Sequence, residues 1–238
     1  MSIRPRRSVL YMPGSNARAL EKARSLPADA LILDLEDAVA PDAKEIARAQ
    51  VCAAVADGGY GRRELVIRVN GLSTPWGRDD LAAAAKAGPD AVLIPKVSSP
   101  GDVMLAARSL REAGAPERTR IWAMMETPQA ILNADSIVRA ALDPASRLAV
   151  LVMGTNDIAK ETRARLVPGR APMLAYLSIC LAAARAYGVD IVDGVYNNLS
   201  DMEGFAAECR QGVELGMDGK TLIHPNQCGP ANEIFAPS

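Results

Sequence analysis

Glu126 closes the apolar run Ile121-Trp-Ala-Met-Met125 and precedes Thr127-Pro128. Asp157 closes Gly154-Thr155-Asn156, which follows the apolar run Leu148–Val152. A carboxylate set directly behind a buried segment is costly to desolvate unless a cation or hydrogen-bond donors pair with it. Other polar residues stand in the same relation to apolar runs: Pro13-Gly14-Ser15-Asn16, Asp34, Glu36 and Asp37, Arg68 and Asn70, Lys96, Asp193 and His224. Carboxylates dominate this set and His224 is the sole histidine, so its ligands are oxygens. That chemistry suits a hard divalent cation, magnesium or alternatively manganese. Arg68 could grip a substrate carboxylate with its planar fork, or form an ion pair with Asp34 or Asp37. Asp34, Glu36 and Asp37 could orient Arg68 or a water. Lys96 could form a Schiff base, although an ion-pair role is favoured. His224 could act as an acid or base, or be a hydrogen-bonded structural residue. The ordinary alternatives for the two acids are a helix-start position for Glu126 and an N-cap for Asp157.

Positioning these groups requires a repeated scaffold. Eight short β-like runs are read: Val9–Met12, Ala30–Leu35, Leu65–Val69, Ala91–Ile94, Ile121–Met125, Leu148–Val152, Asp190–Asp193 and Met217–Ile223. Most are continuously apolar, as parallel strands buried on both faces are. Helical patterns fall between them: Asn16–Ser25, Asp42–Ala56, Leu81–Ala87, a segment from Ser99-Pro100 to Ala113, one from Thr127-Pro128, Met173–Tyr187 and Ser200–Leu215. Ser200 and Glu203 form a capping-box pattern. Alternating strands and helices predict a single α/β domain over 1–238, a closed (β/α)8 TIM barrel or a large doubly wound sheet. Only Pro225–Ser238 follow the last strand, so the final helix is expected to be very short or absent. In a barrel of this kind the residues after each strand share one rim, where catalysis occurs.

Composition narrows the function. The chain has 238 residues, 49% of them hydrophobic, and a net charge of −1. It has no strong positive field for nucleic acid or an anionic membrane, and no apolar run near the roughly 20 residues of a membrane helix. The basic start Met1–Arg7 has no apolar core behind it, so no secretory signal is expected. Cys52, Cys180, Cys209 and Cys228 are far apart without a C-x-x-C, which predicts reduced thiols in a cytoplasmic protein. Cys228 alone lies in a polar stretch.

Five segments together carry a resemblance: Arg7-Ser-Val-Leu-Tyr-Met-Pro-Gly14, Leu31-Ile-Leu-Asp-Leu-Glu-Asp-Ala38, Ile67-Arg-Val-Asn-Gly71, Met125-Glu-Thr-Pro128 and Ile223-His-Pro-Asn-Gln227. In this order they resemble the citrate lyase β-subunit-like branch of the HpcH/HpaI aldolase superfamily, which includes malyl-CoA and citramalyl-CoA lyases. The segments Gly154–Glu161 and Asp193–Asn197 are most similar to its CoA-ester lyases. The resemblance implies a TIM barrel, Mg²⁺ (or Mn²⁺) on Glu126 and Asp157, a substrate-carboxylate arginine at Arg68, and a homotrimer or hexamer. It places Asp37 and Lys44 at a polar entrance in contact with ligand or water. It also implies substrates: an oxoacid and an acyl-CoA thioester. The implied reaction is cleavage or condensation of a carbon–carbon bond in a β-hydroxyacyl thioester such as malyl-, citramalyl- or citryl-CoA. Backbone N–H groups of Gly154, Thr155 and Asn156 would add donors to the same carboxylate.

Branch members also carry an aspartate in a Met-(Ile/Val)-Asp-x-Pro motif beyond the eighth strand, which serves a neighbouring subunit's site. No such motif occurs up to Ser238: either the sequence is a shortened one or the protein lacks that acid. Three rival activities therefore stand beside the lyase: a class II aldolase acting on pyruvate or oxaloacetate without CoA, a malyl-CoA thioesterase, and a catalytically silent binding subunit.

Overall fold

The apolar runs form eight parallel strands in the computed structural model, which describes residues 4–237. Residues 1–3 of the basic start, and Ser238, lie outside the described residues. The strands are β1 (Ser8–Pro13), β2 (Ala30–Asp34), β3 (Glu64–Arg68), β4 (Ala91–Ile94), β5 (Arg120–Met125), β6 (Leu148–Met153), β7 (Asp190–Asp193) and β8 (Gly219–Leu222). Each pairs with its neighbours in sequence, and β1 pairs with β8, which closes the barrel. The expected TIM barrel is the fold, and a doubly wound sheet is ruled out by that closure.

Side-chain parity decides what reaches the interior. Successive strand residues point to opposite faces. Val9, Ala30, Ile32, Val66, Leu93, Trp122, Met124, Val150, Val152 and Val192 pack into one cluster inside the barrel. Their partners of opposite parity, such as Leu10, Leu31, Leu33 and Ile67, pack outward in the larger cluster that also includes helix residues. Parity therefore carries Asp34 two positions beyond Ile32, Arg68 two beyond Val66, and Glu126 two beyond Met124 to the same interior. The opposite mouth is plugged by Arg6, which pairs with Glu64 at 2.8 Å and lies over the Trp122 ring.

The helices mostly follow the expected pattern. Ser99 and Asp102 form a capping box on Pro100–Glu112. Two starts differ. The third helix begins at Gly77, where Asp79 and Asp80 occupy its first turn and favour the helix dipole. Asp201, not Ser200, caps Met202–Leu215 by accepting from the Gly204 N–H, while Ser200 Oγ turns to Asn198. A short helix, Cys228–Ile234, follows β8. It packs Cys228 fully away from solvent, so the polar sequence around this thiol misleads about its burial. All four cysteines are free.

Candidate active site

A cavity of about 310 Å³ opens at the C-terminal mouth of the barrel. Asp34, Asp37, Arg68, Glu126, Gly154, Thr155, Asn156 and Asp157 line it, with Tyr11, Met124, Met153, Val195 and Ile223 as its apolar walls. Seven of the eight residues assigned to the site from sequence are thus brought together. The eighth, Lys44, is not. Its buried ammonium donates to the carbonyls of Leu35 and Glu36 and to Asn70 Oδ1, at 2.7–2.8 Å. Those three acceptors satisfy it, so Lys44 fastens the loop after β2 to β3 and does not line the cavity.

Arg68 is held by its own strand neighbour. Asp34 and Arg68 are register partners across β2 and β3. Arg68 Nε and Nη2 both donate to the Asp34 carboxylate at 2.6 Å. The expected bidentate grip on a substrate is therefore already used internally, and the ion-pair alternative is what the structure contains. Nη1 faces the mouth, 2.9 Å from Glu36 and 3.4 Å from Asp37. The Tyr11 ring lies 4.9 Å beneath the guanidinium. Sequence reading missed Tyr11 because it stands inside an apolar strand; only its alternation with Val9 marks it as inward-facing.

Glu126 is nearly inaccessible and follows β5. Burial raises its carboxyl to about 7, against the opposing pull of Lys96. Its Oε1 accepts from the Lys96 backbone N–H at 2.7 Å. Asp157 sits in the first turn of the helix Thr155–Thr162, not at its cap. Its Oδ2 accepts from Lys96 Nζ at 3.2 Å. Glu36, also largely buried, is pushed to about 8 by desolvation. Gly154 permits this packing: a Cβ there would lie 2.3 Å from Glu126 Cβ and 2.8 Å from its Oε2.

Two rim candidates have structural roles instead. His224 Nδ1 lies 2.7 Å from Asn226 Oδ1 and caps the short turn Pro225–Gln227. It does not line the cavity. Asp193 is fully buried, bonded to Arg170 at 2.7 Å and to Lys220 at 3.1 Å. Lys96 is the ion-pair partner its position suggested.

A buried acid and a partly exposed one, served by the backbone N–H and the ammonium of the same lysine, fit a hard cation. Burial disfavours the charge at Glu126, and the anionic donors lining the cavity are carboxylate oxygens. Among the described residues no group of three or more His, Cys, Asp or Glu is placed to hold a metal ion by itself, so such a cation would complete its shell with water or substrate oxygens.

A closed parallel barrel with acids and an arginine gathered at its C-terminal mouth defines a class of small-molecule enzyme scaffold. The chain belongs to the HpcH/HpaI aldolase/citrate lyase family, whose model matches residues 7–225. It is 54% identical over 234 residues to a (3S)-malyl-CoA thioesterase of Cereibacter sphaeroides, covering 98% of this chain and 78% of the relative. It is 35% identical over 241 residues to citrate lyase subunit beta of Leuconostoc mesenteroides, covering 99% and 78%. Among solved structures it is similar to protein CitE of Mycobacterium tuberculosis in complex with magnesium, acetoacetate and coenzyme A. That match has a TM-score of 0.82 at 28% identity, covering 98% of this chain and 81% of the other. Among the described residues no helix is long and apolar enough to cross a membrane.

Proposed function

We propose that this protein hydrolyses the thioester of a short 3-hydroxy acid bearing a free carboxylate, with malyl-CoA as the first substrate to test. The observation that carries the reading is the cavity of about 310 Å³ with the Glu126–Asp157 pair and Arg68 on its walls. It is large enough for a four-carbon acid and too small for a whole CoA, whose nucleotide would lie outside. The sequence alone favoured carbon–carbon cleavage. Sequence identity of 54% to malyl-CoA thioesterases, against 35% to a citrate lyase β subunit, supports hydrolysis ahead of it. Carbon–carbon cleavage remains the second reading, favoured by that second relative.

Glu126 and Asp157 would hold Mg²⁺ or Mn²⁺, which supplies Lewis-acid polarisation of the substrate oxygens. Arg68 Nη1 attracts the substrate carboxylate into the mouth. The N–H groups of Thr155 and Asn156, in the first turn of their helix, add donors to it. Asp34 keeps the guanidinium plane fixed, and Met124, Met153 and Val195 exclude water from the apolar side. Asp37, largely exposed at the entrance, contacts ligand or the incoming water. Family resemblance supports assembly as a trimer or hexamer.

The test is product analysis with (3S)-malyl-CoA and Mg²⁺. Free CoA with malate, and no glyoxylate, is the expected result. Acetyl-CoA with glyoxylate would replace hydrolysis by lyase chemistry. Turnover of a hydroxy-oxoacid without CoA would favour the aldolase, and no turnover of either would favour a silent binding subunit. Glu126→Ala should abolish the metal-dependent reaction while leaving the circular dichroism spectrum unchanged.

A further inference from the structure

Lys96 follows β4 with φ = +52°, a left-handed conformation that a lysine rarely adopts. Such strain persists only where the surroundings over-determine it. Here they do. Ser98 Oγ donates to the Lys96 carbonyl at 3.1 Å, Asn133 Nδ2 donates to the Ser98 carbonyl at 2.8 Å, and the Asp102 carboxylate accepts from Ser98 N at 2.9 Å. The twisted backbone aims the Lys96 N–H at Glu126 Oε1, while the side chain carries its ammonium to Asp157 Oδ2. One residue therefore serves both acids through two different groups. The backbone contact is fixed. The ammonium is not, because about half of the side chain is exposed, on a flexible stem.

We propose that the Lys96 ammonium is the resident counter-ion of the Glu126–Asp157 pair, and that a divalent cation binds there by displacing it. This rests on the metal role given to the two acids above. Two cationic centres cannot share the pair without repulsion, and the lysine is the one free to swing toward water. The backbone N–H stays on Glu126 throughout, so the ligand keeps its place while the charge beside it is exchanged. Lys96 thereby tunes the affinity for the metal: it stabilises the empty pair and competes with the occupant.

The test separates the two groups. Lys96→Gly keeps the N–H and tolerates the positive φ, but removes the charge. Lys96→Asn does the same with a side chain that also accepts this conformation. Mn²⁺ binding to the full chain, without substrate, is followed by the electron paramagnetic resonance of free Mn²⁺. Both variants are expected to bind roughly fivefold more tightly than the parent, the scale of one partly exposed ion pair, and Lys96→Arg to stay near it. A native circular dichroism spectrum with unchanged or weaker Mn²⁺ binding in both neutral variants overturns the proposal. If Mn²⁺ binds the parent and is lost in Glu126→Gln while the neutral variants show no gain, the metal site stands and this inference alone falls. If no form binds Mn²⁺, both fall.

Discussion

Glu126 is where burial and chemistry meet most directly. Its carboxyl lies at about 7 because desolvation disfavours the charged form more than Lys96 restores it. A metal needs the ionised form, so a proton competes for the same oxygens below that pH. The sign follows: Mg²⁺ affinity rises as pH increases toward 7 and levels off above it. Isothermal titration should show a loss approaching tenfold per pH unit below neutrality. A flat profile between pH 5.5 and 7 would contradict the raised carboxyl. At this scale the sequence conveyed much. Glu126, Asp157, Arg68 and Asp37 were legible because a charged residue directly after an apolar strand is unusual. The position of Lys44 off the cavity wall was not legible, because nothing in sequence reveals that three acceptors converge on a helix-borne ammonium. The Arg68 ion pair was open to sequence as an alternative, but the choice of Asp34 for both guanidinium contacts depends on the β2–β3 register.

At the scale of elements, the junction between β6 and the helix Thr155–Thr162 fixes half of the site. Gly154 bridges them with its α-carbon packed against the Glu126 side chain. Gly154→Ala would put a methyl within 2.3 Å of Glu126 Cβ, closer than real Cβ contacts come. Glu126 is buried and cannot retreat, so the strand end or the helix start must shift. The expected outcome is loss of Mg²⁺ binding by calorimetry with the barrel still folded by circular dichroism. Undiminished binding would show that the junction yields more easily than its packing implies. Strand positions were readable here to within a residue or two, because parallel strands are apolar on both faces. Helix starts were less so: Ser200 and Asp201 are both competent caps, and only three-dimensional packing chooses between them.

At the scale of the whole molecule, closure of the ring is the feature with the furthest reach. Strands β2 to β7 each join the strand laid down just before them, whereas β8 must also meet the first strand of the chain. It does so through Ser8–Lys220, Val9–Thr221 and Leu10–Leu222, and it meets β7 only through Val192–Gly219 and Asp193–Lys220. By contrast β2 and β3 pair along their full lengths, from Ala30–Glu64 to Asp34–Arg68. Joining distant segments carries the largest loop-closure cost, and local opening begins where the ladder is shortest. The barrel thus has a seam, with the fully buried Lys220–Asp193 pair as its clasp. Amide hydrogens of Gly219–Leu222 should exchange with solvent before those of β2 and β3 in native-state exchange followed by mass spectrometry. Uniform protection around the ring would remove the seam. Asp34 and Arg68 stand on the firmly laddered side, while Thr221 and Ile223 form the cavity wall beside the seam. When the molecule breathes, the charged half of its binding site holds still and the opposite wall moves.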